Sequence, residues 1–205
     1  VRLVSNRWRR WTFTLLAPVY DALVLPLAGM RERSFALAAL SPGERVLLVG
    51  VGTGADFPFL PVGVRAVATD LTPAMLQRAP RREGVHLALM DGLRLALPAE
   101  GFDAVVLHLI VAVAPDPAGC LGEAARVVRP GGRIAVIDKF KPRGGKAPLA
   151  LRLFRPLIRL LGTDVALDLD ALAARAGLVI EHREPGAVKG LFQVALLRKP
   201  GARTN

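Results

Sequence analysis

Between residues 45 and 140, apolar runs of strand length alternate with segments of helical spacing, and no other feature constrains the fold as tightly. Such alternation reads as successive βαβ units, because each crossover helix must cover one apolar face of a parallel sheet. Val46-Leu47-Leu48-Val49-Gly50 is continuously apolar, as a central strand buried on both faces requires. Further strands are expected over 64–69, ending at Asp70, over 85–90, ending at Asp91, and over 102–109 and 133–138. Thr72 is expected to cap a helix opened by Pro73, and residues 117–128 to form a longer one stopped by Arg129-Pro130-Gly131-Gly132. A helix over 167–176 should end at Gly177, before strands over 178–182 and 191–198 that lie close enough for a hairpin. The sum is an α/β fold over 45–200: a doubly wound, seven-stranded, mostly parallel sheet. Residues 1–44 read as a helical N-terminal extension.

The chain has 205 residues, 52% of them hydrophobic, which suits one domain with a substantial core and excludes a disordered chain. A single cysteine, Cys120, excludes a disulfide scaffold and suits a reducing, cytoplasmic setting. The stretch from Trp11 to Met30 is apolar, but Asp21 at its middle and Pro18 and Pro26 argue against a transmembrane span or a secretory signal. With 28 Lys+Arg against 17 Asp+Glu, the net charge of +11 implies an anionic partner. Two regions concentrate it. Arg2, Arg7, Arg9 and Arg10 surround Trp8, Trp11 and Phe13, the composition of an interfacial anchor. Between Lys139 and Thr163 stand seven basic residues and no acidic one, with Arg152, Arg155 and Arg159 at helical spacing. We therefore expect peripheral association with an anionic membrane, at the inner surface, through residues 1–30 and 139–161. Helices with solvated arginines are the alternative reading of both regions. Nucleic acid fits less well, since aromatics are only 5% and do not interleave with the second basic run.

After the first strand comes Gly50-Val51-Gly52-Thr53-Gly54-Ala55. In a doubly wound sheet, ligands lie beyond the carboxyl ends of the strands, and glycines there let the backbone approach them. A carboxylate at the end of the second strand, Asp70, can accept hydrogen bonds from both hydroxyls of a ribose. Asp91, at the end of the third, can lie beside the edge of a base. Nucleoside binding follows from this set. The spacing also fits G-x-G-x-x-A, which leaves a nicotinamide dinucleotide open on this motif alone.

Taken in order, VLLVGVGTG (46–54), VATDLTPAML (67–76), LMDG (89–92), FDAVVLHL (102–109) and EAARVVRPGGRIAVI (123–137) resemble the class I S-adenosylmethionine-dependent methyltransferases. The resemblance implies that Gly50, Val51, Gly52, Thr53 and Gly54 lie beneath the methionyl part of S-adenosyl-L-methionine. It places Asp70 on the ribose with Leu71 beside the adenine, and Asp91 on the adenine amino group, flanked by Met90 and Gly92. His108, at a strand end, would face the sulfonium and the acceptor. Leu48 stands where the family usually carries Glu or Asp. VAPDP (113–117) and Thr163-Asp164 with Glu184-Pro185 look more like a phospholipid-methylating subgroup, while Tyr20-Asp21 and Arg33 look like the N-terminal elements of two subgroups. These are the bacterial phosphatidylethanolamine N-methyltransferases and the ubiquinone/menaquinone-biosynthesis methyltransferases. Asp138-Lys139-Phe140 replaces the Asn-His-Phe of the phospholipid subgroup, which implies altered acceptor-side chemistry.

Methyl transfer from a sulfonium is an in-line displacement that depends on alignment and exclusion of water, with no metal required. No His, Cys and carboxylate cluster has metal-ligand spacing. His108 is the candidate base by position, against the alternative of a satisfied structural histidine, and Tyr20 is the candidate to orient the acceptor. The expected activity is methylation of a lipidic or small-molecule acceptor, a phospholipid amine first. A quinone-precursor C- or O-methyltransferase and a non-catalytic cofactor-binding protein are the alternatives.

Overall fold

The computed structural model describes residues 27–141 and 167–201. Its elements, in chain order, are α1 (Ala28–Ala38), β1 (Arg45–Val49), a 3-10 turn (Phe57–Phe59), β2 (Arg65–Asp70), α2 (Pro73–Leu76), β3 (Val85–Leu89) and β4 (Phe102–His108). They continue with α3 (Pro117–Val127), β5 (Val128–Lys139), α4 (Leu169–Arg175), β6 (Val179–Pro185), α5 (Ala187–Gly190) and β7 (Phe192–Arg198). The strands form one seven-stranded sheet in the order β3-β2-β1-β4-β5-β7-β6. Pairing is parallel from β3 through β5, and β7 runs antiparallel to both β5 and β6. The expected doubly wound sheet and its closing hairpin are therefore present. Strand order reverses between β1 and β4, so the carboxyl ends of these two strands flank the crevice where such sheets bind ligands.

Side-chain alternation sends each strand's residues into two cores. From β1, Leu47 and Val49 join Val105, Leu107, Leu121, Val136 and Leu197 beneath α3 and α4. Val46 and Leu48 face the other way, onto Phe35 and Ala38 of α1 and Phe57 after the glycine turn. Burying a side chain of this size contributes roughly 1.5–3 kcal/mol, so both faces of β1 hold it in register. Leu48, 1% exposed, is a core residue here.

The ends of the elements are set locally. Gly177 follows α4 at φ +67°, and the N–H groups of Gly177 and Leu178 donate to Ala174 and Ala173, as expected of a glycine that closes a helix. At the end of α1, Arg133 reaches across from β5 to the carbonyls of Ala38 and Ala39 and holds Glu44 at 2.6 Å. Two expectations are corrected. Residues 129–132 do not form a turn ahead of β5: the strand already begins at Val128, which pairs with Phe102 before a register shift. Thr72 precedes α2 without a side-chain capping bond; its own N–H is held by Asp70.

Among the described residues, no helix is long and apolar enough to cross a membrane. Tyr20 and the bulk of both basic regions, residues 1–26 and 142–166, lie outside the described residues.

Candidate active site

A cavity opens at the carboxyl ends of β1, β2 and β4, with about 730 Å³ of empty space once its open mouth is included. The structure brings Gly50, Gly52, Asp70, Leu71, Met90, Asp91 and Gly92 to its walls. Val51, Thr53 and Gly54 lie outside the lining. Val51 packs in the core under α1, and Thr53 is buried.

Asp70 organises the nucleoside end. One carboxylate oxygen accepts from the Gly52 N–H at 2.9 Å and the other from the Thr72 N–H at 2.8 Å. A single side chain thus fixes the glycine turn against the start of α2. Each oxygen keeps lone-pair capacity for a ligand hydroxyl, since an ionised carboxylate offers about four acceptor sites. Burial raises the Asp70 pKa above the ordinary carboxylate value, and the N–H donors of Thr72 and Gly52 only partly offset it. Asp91 Oδ1 accepts from the Leu93 N–H at 2.9 Å, which shapes the loop after β3 around the cavity.

The opposite wall comes from the segment after β4, through Leu109, Ile110, Val113, Ala114 and Pro115. Sequence reasoning missed this wall; its only signal was an apolar run continuing past the strand. Leu109 sits at φ +62°, a left-handed conformation that turns the chain out of β4. Cys120, expected in the core, is buried and also reaches the lining; burial pushes its thiol up to about 12, aided by the charges of Asp138 and Asp91.

The glycines have a different reason from the one expected. A Cβ on Gly50, at φ +71°, would lie 2.8 Å from Ile110 Cδ1, and one on Gly54 would meet Phe57 and Pro80 at 2.9–3.0 Å. Neighbouring side chains, as well as a ligand, therefore demand glycine at both positions.

His108 is corrected in orientation. Its side chain leaves β4 on the α1 face, away from the cavity lining. Nδ1 lies 2.7 Å from Asp56 Oδ1 and Nε2 lies 2.9 Å from Ser34 Oγ, while Arg31 Nε donates to the same Asp56 oxygen at 3.0 Å. Burial works against the Asp56 charge, but His108 and Arg31 hold its carboxyl below the ordinary range. An ionised carboxylate can only accept, so His108 Nδ1 donates to Asp56. The other histidines lie elsewhere: His86 is exposed on β3, and His182 on β6 contacts Glu184 at 2.8 Å.

Asp138 is also not where the acceptor-side expectation put it. It is 1% exposed, and its two oxygens accept from the N–H groups of Ala112 and Lys139 at 2.8 Å each. It anchors the loop that carries the apolar wall, and burial raises its pKa. The two bonds use both carboxylate oxygens, where an asparagine would offer one acceptor oxygen and an NH₂ donor.

The cavity fits S-adenosyl-L-methionine on its own donors and acceptors: a two-oxygen acceptor at the end of β2, a second carboxylate at the end of β3, and a glycine turn facing an apolar wall. A methyltransferase-domain family model matches residues 47–136, the span that carries the glycine turn, both aspartates and β4. The chain is 30% identical over 198 residues to phosphatidylethanolamine N-methyltransferase of Cereibacter sphaeroides, covering 92% of this chain and 94% of that protein. It is 33% identical over 171 residues to demethylmenaquinone methyltransferase of Tropheryma whipplei strain Twist, covering 77% of this chain and 71% of that one. Its fold is shared with a chain of the Haloferax volcanii complex of a methyltransferase with the Trm112 activator, at TM-score 0.73 and 16% identity, covering 92% and 97% of the two chains. A Bacillus halodurans methyltransferase gives TM-score 0.70 at 19% identity, covering 83% and 98%. With the dinucleotide and non-catalytic readings thus set aside, the chain belongs to the class I S-adenosylmethionine-dependent methyltransferases.

Proposed function

We propose that the protein transfers methyl groups to a phospholipid amine of the phosphatidylethanolamine type, at the surface of an anionic membrane. The observation that carries this reading is end-to-end similarity to the Cereibacter sphaeroides phospholipid enzyme, 92% of one chain against 94% of the other. The apolar wall of Leu109, Ile110, Val113 and Ala114 supports it, because such a wall suits a lipid-borne acceptor. The excess of basic residues, 28 against 17 acidic, supports the membrane, where each Lys or Arg near an anionic surface contributes about 1 kcal/mol.

When bound, S-adenosyl-L-methionine supplies a methyl group already activated on sulfur. In this reading Asp70 accepts from the ribose hydroxyls with Leu71 beside the adenine, and Asp91 accepts from the adenine amino group. Gly50 and Gly52 leave room for the methionyl part. The chain's contribution is to align donor and acceptor and to keep water out, an effect that can supply up to roughly 7–11 kcal/mol.

A quinone precursor is the second acceptor reading, supported by the 33% identity to demethylmenaquinone methyltransferase. Incubation with methyl-labelled cofactor and total membrane lipid, followed by chromatography, separates the two. Label is expected in methylated phospholipid; label in the quinone fraction alone overturns the phospholipid reading. Arg152→Glu combined with Arg155→Glu should spare cofactor binding and lower association with anionic liposomes. Unchanged liposome association would overturn the membrane contact through residues 139–161.

A further inference from the structure

Among the described residues, the most exposed large apolar side chains are Val62, before β2, and Val188, between β6 and β7, at 87% and 64%. A lone exposed valine is ordinary. Val188 differs in its backbone, which sits at φ +54°. Positive φ is an outlier for a β-branched residue, and glycine or asparagine is the usual choice at such a turn. Position 188 thus holds a side chain that water and the backbone both disfavour.

The turn that presents it is firmly built. Gln193, 4% exposed, places Nε2 at 3.1–3.2 Å from the carbonyls of Phe140, Lys141 and Gly190. The Gly186 N–H donates to the Phe192 carbonyl at 2.8 Å, and the Leu191 N–H to that of Val188 at 3.1 Å. Met30 of α1 packs against Gly186, where an added Cβ would lie 2.3 Å from Met30 Cε. The Val188 side chain takes no part in these bonds.

The turn stands on the cavity's edge of the sheet. Phe192 pairs with Lys139 and Gln193 with Asp138, at the carboxyl end of β5, and Asp138 in turn holds the Ala112 N–H beneath the apolar wall. Only β5 separates β7 from β4. Both basic segments join the described structure at this corner. Residues 1–26, with four arginines and one acid, lead through Leu27 into α1, whose Met30 meets the turn. Residues 142–166, with five basic residues and one acid, link Lys141 to Leu167, and the Lys141 N–H donates to the Leu167 carbonyl at 2.9 Å. The exposed acids nearby are engaged: Glu184 with Arg33, Asp170 with Arg183, and Asp168 with the Ala171 N–H.

We propose that the turn at 186–191 is the point where this protein enters an anionic lipid surface, with Val188 as the inserting side chain; this rests on the membrane part of the reading above. At the lipid boundary the valine methyls leave water, and the basic chain on either side supplies attraction to headgroups. Contact here turns the cavity's edge of the sheet toward the bilayer, the side from which a lipid-borne acceptor arrives.

The test uses the full chain with vesicles of phosphatidylcholine, with and without phosphatidylglycerol, and needs no turnover. In V188G the new residue suits φ +54° better than valine, so Tm should equal or exceed that of the unaltered protein. Partitioning onto the phosphatidylglycerol vesicles should nevertheless fall about fivefold or more, as expected for losing the burial of a mostly exposed valine. High salt should weaken binding of both proteins and leave this deficit in place, because salt screens charge and not apolar contact. A polarity-sensitive fluorophore on V188C should shift to the blue on these vesicles, whereas one on V62C, at the amino edge of the sheet, should not. Cys120 is buried with its thiol pushed up to about 12, so the label goes to the introduced cysteine. Unchanged partitioning of V188G, a silent label at 188, or an equal response at 62 would overturn the proposal and leave membrane binding in place. An oligomeric state altered in V188G without lipid would assign the turn to a contact between copies and overturn it as well. No binding of the unaltered protein to phosphatidylglycerol vesicles would remove the membrane reading itself, and this surface with it.

Discussion

Replacing Asp70 tests the cavity at the point where fold and ligand meet. In Asp70→Ala the Gly52 and Thr72 N–H groups lose their acceptor, and the cofactor ribose loses both of its own. Hydrogen bonds to a charged acceptor contribute about 1.5–3 kcal/mol each, so two lost ribose bonds amount to about 3–6 kcal/mol. At 1.4 kcal/mol per tenfold, that is a loss of roughly 10²–10⁴ in affinity. Asp70→Asn keeps one acceptor oxygen and should fall between the two, at roughly 10–100-fold. Isothermal titration with S-adenosylmethionine and S-adenosylhomocysteine reads both variants, with circular dichroism to confirm folding. The two ligands share the ribose, so both should weaken by the same factor. The pH dependence has a definite sign. Ribose recognition needs the ionised carboxylate, and burial raises the Asp70 pKa. Affinity should therefore begin to fall, as pH is lowered, above the range of an ordinary aspartate. A folded Asp70→Ala protein that binds S-adenosylhomocysteine within threefold of the unaltered chain would refute the reasoning.

Three further outcomes follow from the geometry. Gly50→Ala should abolish measurable cofactor binding and lower Tm, because its Cβ would lie 2.8 Å from Ile110 Cδ1 at a residue with φ +71°; pairing it with Ile110→Ala should restore part of the loss. Gly177→Ala should cost about 1–2 kcal/mol, read by urea denaturation, since a Cβ is unfavourable at φ +67°. Glu44→Gln should cost about 1–2 kcal/mol by weakening a partly buried pair with Arg133. The Arg133 hydrogen bond holds the Glu44 pKa below its ordinary value. That stability is present above the unfolded pKa and lost as pH falls through the folded one, so the two proteins should converge in Tm in acid.

The parts legible in the sequence were those whose physics is local or periodic. The strands were legible as short apolar runs at regular spacing, most plainly β1, which is continuously apolar because its inner residues are buried on both faces. Gly177 closed α4 because few residues other than glycine accept φ +67°. Asp70 and Asp91 were found because strand ends in this topology converge on one crevice. What stayed hidden depends on partners distant in the chain. Nothing near His108 shows that Asp56, 52 residues earlier, and Ser34, 74 residues earlier, turn its ring onto the α1 face. Asp138 looked like an acceptor-side change until Ala112 proved to be its partner. The demand for glycine at 50 came from Ile110, a contact across two strands.

One measurement reaches the core of the account: incubation of the purified chain with methyl-labelled S-adenosylmethionine and vesicles of phosphatidylethanolamine in an anionic lipid background. The account predicts labelled N-methylated phospholipid together with an equal amount of S-adenosylhomocysteine, both lost in Asp70→Ala. Tight cofactor binding with no label in any phospholipid, alongside turnover on a quinone precursor, would contradict it.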